Sequence, residues 1–229
     1  MIFSMMRSET TTDTKPNFSK AYSNANRILV SSTVISTFPF SPFALVKEQT
    51  PCVCRTYSIA RKHGVEITDF GSESAVIMKM GEKSIIFYDE SKPISHVGFS
   101  ILHELGHPIN GHDFHKKDEE TYGVYEIETN YFAAQLLMPE QILRELQNRG
   151  ITITSRFLQS NFGVSQAAAE KRLATLSKTS FEWYSQSERE FDDIILWKYG
   201  TFLDKLCPKK EVYCFENEYE LQQERNSWY

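Results

Sequence analysis

The five residues His103-Glu104-Leu105-Gly106-His107 constrain the fold of this chain more than any other segment. Positions i and i+4 of an α-helix project from one face, so His103 and His107 can bind the same metal ion. Glu104 lies about 100° around the helix from His103, where it can reach a water held by that metal and act as its base. The segment therefore predicts a helix that carries a hydrolytic zinc site. A surface helix with two histidines on its polar face is the alternative.

A third ligand for such a site is expected on the next helix, which the sequence predicts over residues 119–139. Glu126 and Asn130 share a face of that helix. The carboxylate of Glu126 can complete the coordination, while the Asn130 amide can steady an imidazole. Glu128 lies about 200° around the helix from Glu126, so the two glutamates cannot easily serve one metal. An ordinary solvated acidic face is the alternative interpretation.

Two segments, residues 103–112 and 126–139, resemble the ImmA/IrrE family of metallopeptidases, which is itself similar to the gluzincin class. The resemblance is specific over residues 94–139 and looser over residues 20–180. It implies one zinc ion per chain and a set of site residues: the metal ligands His103, His107 and Glu126, and the general base Glu104.

Two residues depart from the pattern of that family. Thr129 stands where the family usually has alanine, which is a small change. Pro108 has no N–H to donate to the carbonyl of Glu104, and it disfavours helical geometry at His107. We therefore expect the metal-binding helix to end or to kink at this point.

The pattern of the whole chain predicts an α+β fold, with a zincin-like metallopeptidase domain whose small three-stranded sheet packs on helices. The predicted strands are Val65–Phe70, Ser74–Met80 and Lys83–Tyr88, with a tight turn at Gly81-Glu82 between the last two. Helices are predicted from Ala21 to Val34 and from Cys52 to His63. Gly98 and Gly106 suggest that another backbone closely approaches the metal-binding helix, for example the edge of a strand.

The predicted domain boundaries follow shifts in composition along the chain. They are a disordered leader at 1–19, the zinc metallopeptidase domain at 20–142, a helix-turn-helix-like module at 143–180, and a tail of unknown role at 181–229. Within the module, Ser165 is the expected N-cap of a helix from Gln166 to Leu176. That helix carries Lys171 and Arg172 but also Glu170, so we expect it to pack or to dock a partner, with DNA contact less favoured.

Composition excludes several classes of function. A net charge of −5 and a pI near 5.7 argue against nucleic acid as the main partner. No apolar run approaches the roughly 20 residues of a membrane span, so no membrane partner is expected. The first residues lack a signal sequence, and we expect a cytoplasmic protein. Its four cysteines are expected to be reduced thiols, with a second zinc site as the less favoured reading: Cys52, Cys54, Cys207 and Cys214.

The sequence thus predicts a zinc-dependent endopeptidase, and the resemblance implies that its substrate is a helix-turn-helix repressor. Several side chains could stabilise the developing oxyanion, and the sequence does not choose among them: His112, His115, Tyr122, Tyr125 and Tyr131. Two other classes of function stay open. One is a DNA-binding or partner-binding regulator whose metal site is structural or vestigial. The other is a toxin-like or antitoxin-like protein that acts through its helical module.

Overall fold

The structure is a computed structural model that describes residues 15–66, 74–80, 83–113, 119–178, 184–208 and 225. These residues form helices and three strands of an α+β fold, as predicted. In chain order the elements are α1 (Phe18–Ser31), α2 (Pro42–Gln49), β1 (Val53–Thr56), α3 (Tyr57–Lys62), β2 (Ala75–Met80), β3 (Lys83–Tyr88), α4 (Ile94–Asn110), α5 (Glu119–Leu137), α6 (Glu140–Asn148), α7 (Ser155–Phe162), α8 (Gln166–Leu176), α9 (Asp192–Lys198) and α10 (Gly200–Leu206).

The described sheet has the strand order β1-β3-β2, with β3 in the centre. β1 runs parallel to β3, while β2 runs antiparallel to it. In this register Ile86 of β3 lies between Cys54 of β1 and Ile77 of β2. Ile86 is fully buried, and β2 and β3 both contact α4. One strand edge therefore lies beside the helix that carries the histidines.

The strands Ser74–Met80 and Lys83–Tyr88 were predicted to within one residue, but the strand Val53–Thr56 was not predicted. Val65 and Glu66 are not part of a strand, and the rest of the predicted strand at 65–70, like the turn at 81–82, lies outside the described residues. The third observed strand is β1, in a segment predicted to be helical. The helix starts only at Tyr57, because Thr56 caps it by accepting from the N–H of Ile59.

Helix α1 begins at Phe18, inside the segment predicted as a leader. Asn17 caps it, since its side chain accepts a hydrogen bond from the N–H of Lys20. The helix ends at Ser31 rather than at Val34, because the backbone of the next residue, Ser32, is already extended. The buried face of α1 places Ala25 and Leu29 in the core, so the described part of this segment is integral to the fold.

Helices α4 and α5 lie at the centre of the fold and contact each other extensively. An apolar stripe of α4 is buried, with Val97, Ile101 and Leu105 each at most 3% exposed. Phe132 and Leu136 of α5 are fully buried against the same cluster. The two helices that carry the candidate ligands are therefore fixed to each other by the core.

Pro108 does not end the helix, contrary to our expectation. Helix α4 continues to Asn110 and ends at Gly111, which has a left-handed φ of 69°. Pro108 lies in the last turn, where a missing N–H removes only one hydrogen bond and the chain soon leaves the helix. His107 therefore keeps its helical position relative to His103.

Gly106 allows α5 to pack closely on α4, and the neighbours are side chains rather than a strand backbone. A Cβ at Gly106 would lie 3.0 Å from Cδ1 of Phe132 and 3.1 Å from Cγ2 of Thr129. At Gly98, the one comparable contact is with Cγ of Pro42 at 3.2 Å.

We expect Gly106→Ala to destabilise the protein by about 1 kcal/mol, because overpacking of a core exceeds the gain in helix propensity. Gly98→Ala is the matched control, since it gains the same propensity beside a single contact. Urea unfolding of both variants measures the difference. Equal stability of the two variants would contradict the proposed tight packing of α4 on α5.

Helices α7 and α8 pack against each other and against the common core, through Leu158, Phe162 and Ala169. Ser165 is the N-cap of α8, as predicted, and accepts from the N–H of Ala168. Arg172, one of the two basic residues of this helix, is only 2% exposed.

Helices α9 and α10, within the predicted tail, also reach the core. Ile195 of α9, Leu203 of α10 and Tyr199 between the two helices are at most 1% exposed. Among the helices that the structure describes, none has both the length and the apolar character that crossing a bilayer requires. Cys52, Cys54 and Cys207 carry free thiols, and Cys214 lies outside the described residues.

Candidate metal centre

His103 and His107 of α4 and Glu126 of α5 converge on one point between the two helices. One ligand atom from each lies within 4.8 Å of the other two. Nε2 of His103 is 3.1 Å from Oε2 of Glu126, and Nε2 of His107 is 3.5 Å from Oε1 of Glu126. The structure therefore brings together the three residues that the sequence analysis selected as ligands.

Asn130 fixes the orientation of His103 from the side opposite Glu126. Its Oδ1 lies 3.2 Å from Nδ1 of His103. An amide oxygen can only accept, so Nδ1 of His103 donates to Asn130, and Nε2 is the nitrogen that faces Glu126 and is left for a metal. This is the role that the spacing of Glu126 and Asn130 suggested, one turn apart on α5.

A chain of buried polar groups fixes His107 in the same way. Nδ1 of His107 lies 3.0 Å from Nδ1 of His112, and Nε2 of His112 lies 2.8 Å from Oε2 of Glu128. Because the carboxylate of Glu128 accepts, His112 donates from Nε2 and accepts at Nδ1, and His107 donates from Nδ1. Nε2 of His107, the nitrogen left for a metal, then faces Glu126.

The turn at Gly111 explains how His112 reaches this position. Gly111 adopts the left-handed conformation, and the N–H of His112 donates to the carbonyl of His107 at 3.0 Å. The reversal folds the imidazole of His112 back against His107, where it stacks on the ring of Tyr125 with centroids 4.1 Å apart. Glu128 also accepts from the backbone N–H of Asn17 at 2.6 Å, which ties α1 to this network.

Glu104 lies beside the ligands and is held by the sheet. Its Oε2 accepts from the backbone N–H of Ile77 in the edge strand β2, at 2.8 Å. Burial raises the pKa of Glu104, and the positive charges of His103 and His107 oppose that rise. A raised pKa brings a carboxylate closer to the range in which it exchanges protons effectively near neutral pH.

The electrostatics of the cluster favour a cation at its centre. Burial alone would raise the pKa of Glu126, but its hydrogen bonds with His103 and His107 outweigh burial and hold that pKa well below its usual range. Burial also lowers the pKa of His103, and the hydrogen bond with Glu126 reverses that effect and raises it. Glu126 therefore stays ionised, and its charge attracts positive charge to the two imidazoles.

The residues proposed to stabilise the oxyanion lie in different parts of the structure. Tyr122 is 58% exposed one turn before Glu126, and burial with the charge and hydrogen bond of Glu126 raises its pKa to about 12. It stays protonated at neutral pH and can donate at the mouth of the site. His112 and Tyr125 form the support behind His107, and the hydroxyl of Tyr131 lies 3.4 Å from that of Tyr184. His115 lies outside the described residues.

The sequence analysis missed the roles of His112 and Glu128. The spacing correctly separated Glu128 from the ligand face, but it gave no partner for this carboxylate. A signal was present in Gly111 directly before His112, because a glycine after a helix commonly reverses the chain. The contact between His112 and Glu128 joins two helices, so it could not be predicted from the sequence of either helix alone.

We expect Glu128→Ala to weaken metal binding by about 10-fold to 100-fold, because His112 then loses the acceptor that fixes its tautomer. Glu128→Gln keeps an acceptor oxygen and should lose less affinity. Competition with a chromogenic chelator measures the affinity, and thermal unfolding shows whether each variant is folded. Equal affinities for the Ala variant and the unchanged protein would contradict this role of the network.

The donor set fits a zinc ion. Two imidazole nitrogens and one carboxylate are ligands that Zn²⁺ takes in hydrolytic sites, with one position left for water or substrate. Hydrogen bonds on the far nitrogens of both imidazoles are the support that such ligands have in metal sites. His107 is 4% exposed, so the site is also shielded from solvent on one side.

Comparison with known proteins agrees with this geometry. A family model described as the IrrE N-terminal-like domain of peptidase family M78 matches residues 60–174, which is half of the chain. That range includes all of the residues of the candidate centre on α4 and α5. A search among curated proteins found no match. By the family match, the protein belongs to the peptidase M78 (ImmA/IrrE) family, which is a family of metallopeptidases.

Proposed function

We propose that the protein is a zinc-dependent endopeptidase with His103, His107 and Glu126 as metal ligands and Glu104 as the general base. The observation that carries the proposal is the convergence of these three ligand atoms within 4.8 Å, beside a carboxylate oriented by a strand edge. Membership of a metallopeptidase family supports it.

The chemistry follows from the arrangement of the chain's own groups. A zinc ion held at this centre would lower the pKa of water and polarise the scissile carbonyl. Glu104 takes the proton of the attacking water and then delivers it to the leaving amine. The N–H of Ile77 keeps one oxygen of Glu104 fixed, and the other oxygen is left to move the proton. We assign to Tyr122 the role of donor to the developing oxyanion.

The position of β2 supports a peptide as the substrate. β2 is one of the two edge strands of the described sheet, and at Ile77 its backbone faces α4. An extended peptide can add to such an edge through main-chain hydrogen bonds. The family resemblance further suggests a helix-turn-helix repressor as the natural substrate, and the proposal places its cleavage in the cytoplasm.

A DNA-binding regulator with a structural or vestigial metal site is the second candidate. The packing of α7 against α8 is compatible with it, but the burial of Arg172 removes one of the two cations that α8 would offer to phosphates. The hydrogen bond that orients Glu104 beside the three candidate ligands favours the enzyme instead.

Co-expression with a helix-turn-helix repressor encoded beside the gene tests the proposal. We expect the repressor to be cut into two fragments, with the cleavage site read by mass spectrometry. An intact repressor, retained on operator DNA together with this protein, would favour the regulator.

A further inference from the structure

A cavity separate from the candidate metal centre lies between α5 and α8. Its volume is about 440 Å³, within the range of pockets that hold small molecules or single side chains. Phe99, Ile127 and Tyr131 give it apolar walls, and Asn130 forms part of its lining. Because Asn130 also accepts from Nδ1 of His103, the cavity adjoins the support of a metal ligand.

The charged groups of this cavity are all of one sign. Lys171 and Arg172 line it, and its described lining contains no acidic residue. The first turn of α8, from Ser165 to Ala168, also borders the cavity. N–H groups in a first helical turn favour an anion.

Arg172 supplies an independent observation, because its buried guanidinium, which lies over the Tyr131 ring at 5.9 Å, keeps one unused donor. The side chain is 2% exposed, with Nε donating to the carbonyl of Met138 at 3.1 Å and Nη2 to the amide oxygen of Gln135. Nη1 has no hydrogen-bond partner among the described residues, and no ion pair in that part of the chain involves Arg172. A buried charge with an unused donor is costly unless an anion completes it.

We propose that this cavity binds a carboxylate carried on an apolar body. The carboxylate lies at Arg172 and Lys171, and the apolar part lies against Phe99, Ile127 and Tyr131. Two sources share this chemistry: an acidic side chain or C-terminus of the peptide substrate, and a free organic acid. The first source rests on the proposed peptidase function, whereas the second does not.

Calorimetric titration of the full chain with 3-phenylpropionate tests the proposal, with 3-phenylpropionamide as the uncharged twin. We expect the carboxylate to bind at least about tenfold more tightly than the amide, since hydrogen bonds to charged groups have effects of that size. Zinc-loaded and zinc-free protein should bind it equally. Equal binding of acid and amide, or binding that disappears with the zinc, would overturn the proposal.

Variants locate the bound acid. Arg172→Met should weaken binding about tenfold or more, and Ala168→Leu should block it by filling the cavity. Lys178→Gln, an exposed cation outside the cavity, is the matched control and should bind as the unchanged protein does. Lys171→Gln and Ala168→Leu decide the question if Arg172→Met does not fold. Unchanged binding in folded Lys171→Gln and Ala168→Leu variants would overturn the assignment.

Profiling with a peptide library, read by mass spectrometry, separates the two sources. If the occupant belongs to the substrate, acidic residues are enriched at a fixed distance from the cut, and Lys171→Gln removes that preference. If the occupant is a free acid, the acid binds but the cleavage preference is the same in the variant. Absence of any cleavage would count against the proposed peptidase function and leave the binding result intact.

Discussion

Glu104→Gln is expected to abolish peptide hydrolysis while the protein keeps its zinc. The amide has nearly the same shape and can still accept from the N–H of Ile77, so the site should keep its geometry. It cannot take a proton from water, and loss of a general base typically costs about 10²-fold to 10⁴-fold in rate. Hydrolysis of a repressor or of a library peptide, measured together with zinc content, checks the result.

Glu119→Gln is the matched control for this variant, because Glu119 is an exposed carboxylate at the start of α5. It should hydrolyse peptide at the unchanged rate. Retention of full activity by Glu104→Gln would show that another group takes the proton, and it would remove Glu104 from the mechanism.

We expect Glu126→Ala to lose the zinc ion, whereas Glu104→Gln loses only the general base. Only the two histidines of α4 would remain as ligands, without the charge that holds them together. We expect the affinity for zinc to fall by more than about 100-fold, which exceeds the effect of an outer hydrogen-bond partner. Chelator competition measures this affinity, and hydrolysis should disappear with the metal.

Glu120→Ala provides the control, because it removes an exposed carboxylate from the first turn of the same helix. It should bind zinc with unchanged affinity. Full zinc content in Glu126→Ala would contradict the assignment of the third ligand, and thermal unfolding would separate that case from loss of the fold.

The helices of the site could be predicted because their signals are local. Two histidines one turn apart fix a face of α4, and the acidic start and proline stop of the next segment define α5. Other elements depend on long-range packing, which the spacing of residues in the sequence does not predict. β1 forms only because Val53 to Thr56 pair with a distant strand, and no local pattern in that segment indicates its partner.

At Pro108 a valid local rule, that proline disfavours a helix, led to a wrong prediction. A proline disfavours the helix before it, yet the core fixes Leu105 and Gly111 ends the helix only after a further turn. The support of His107 by His112 and Glu128 depends on that extra turn. It joins α1, α4 and α5, so it exists only in the folded chain.

Reconstitution of the zinc-stripped protein with zinc is the most direct test of the central claim. Peptide hydrolysis should be absent from the stripped protein, rise in proportion to added zinc, and stop rising at about one zinc per chain. Hydrolysis by the stripped protein, or no hydrolysis by protein that holds one zinc at His103, His107 and Glu126, would contradict it.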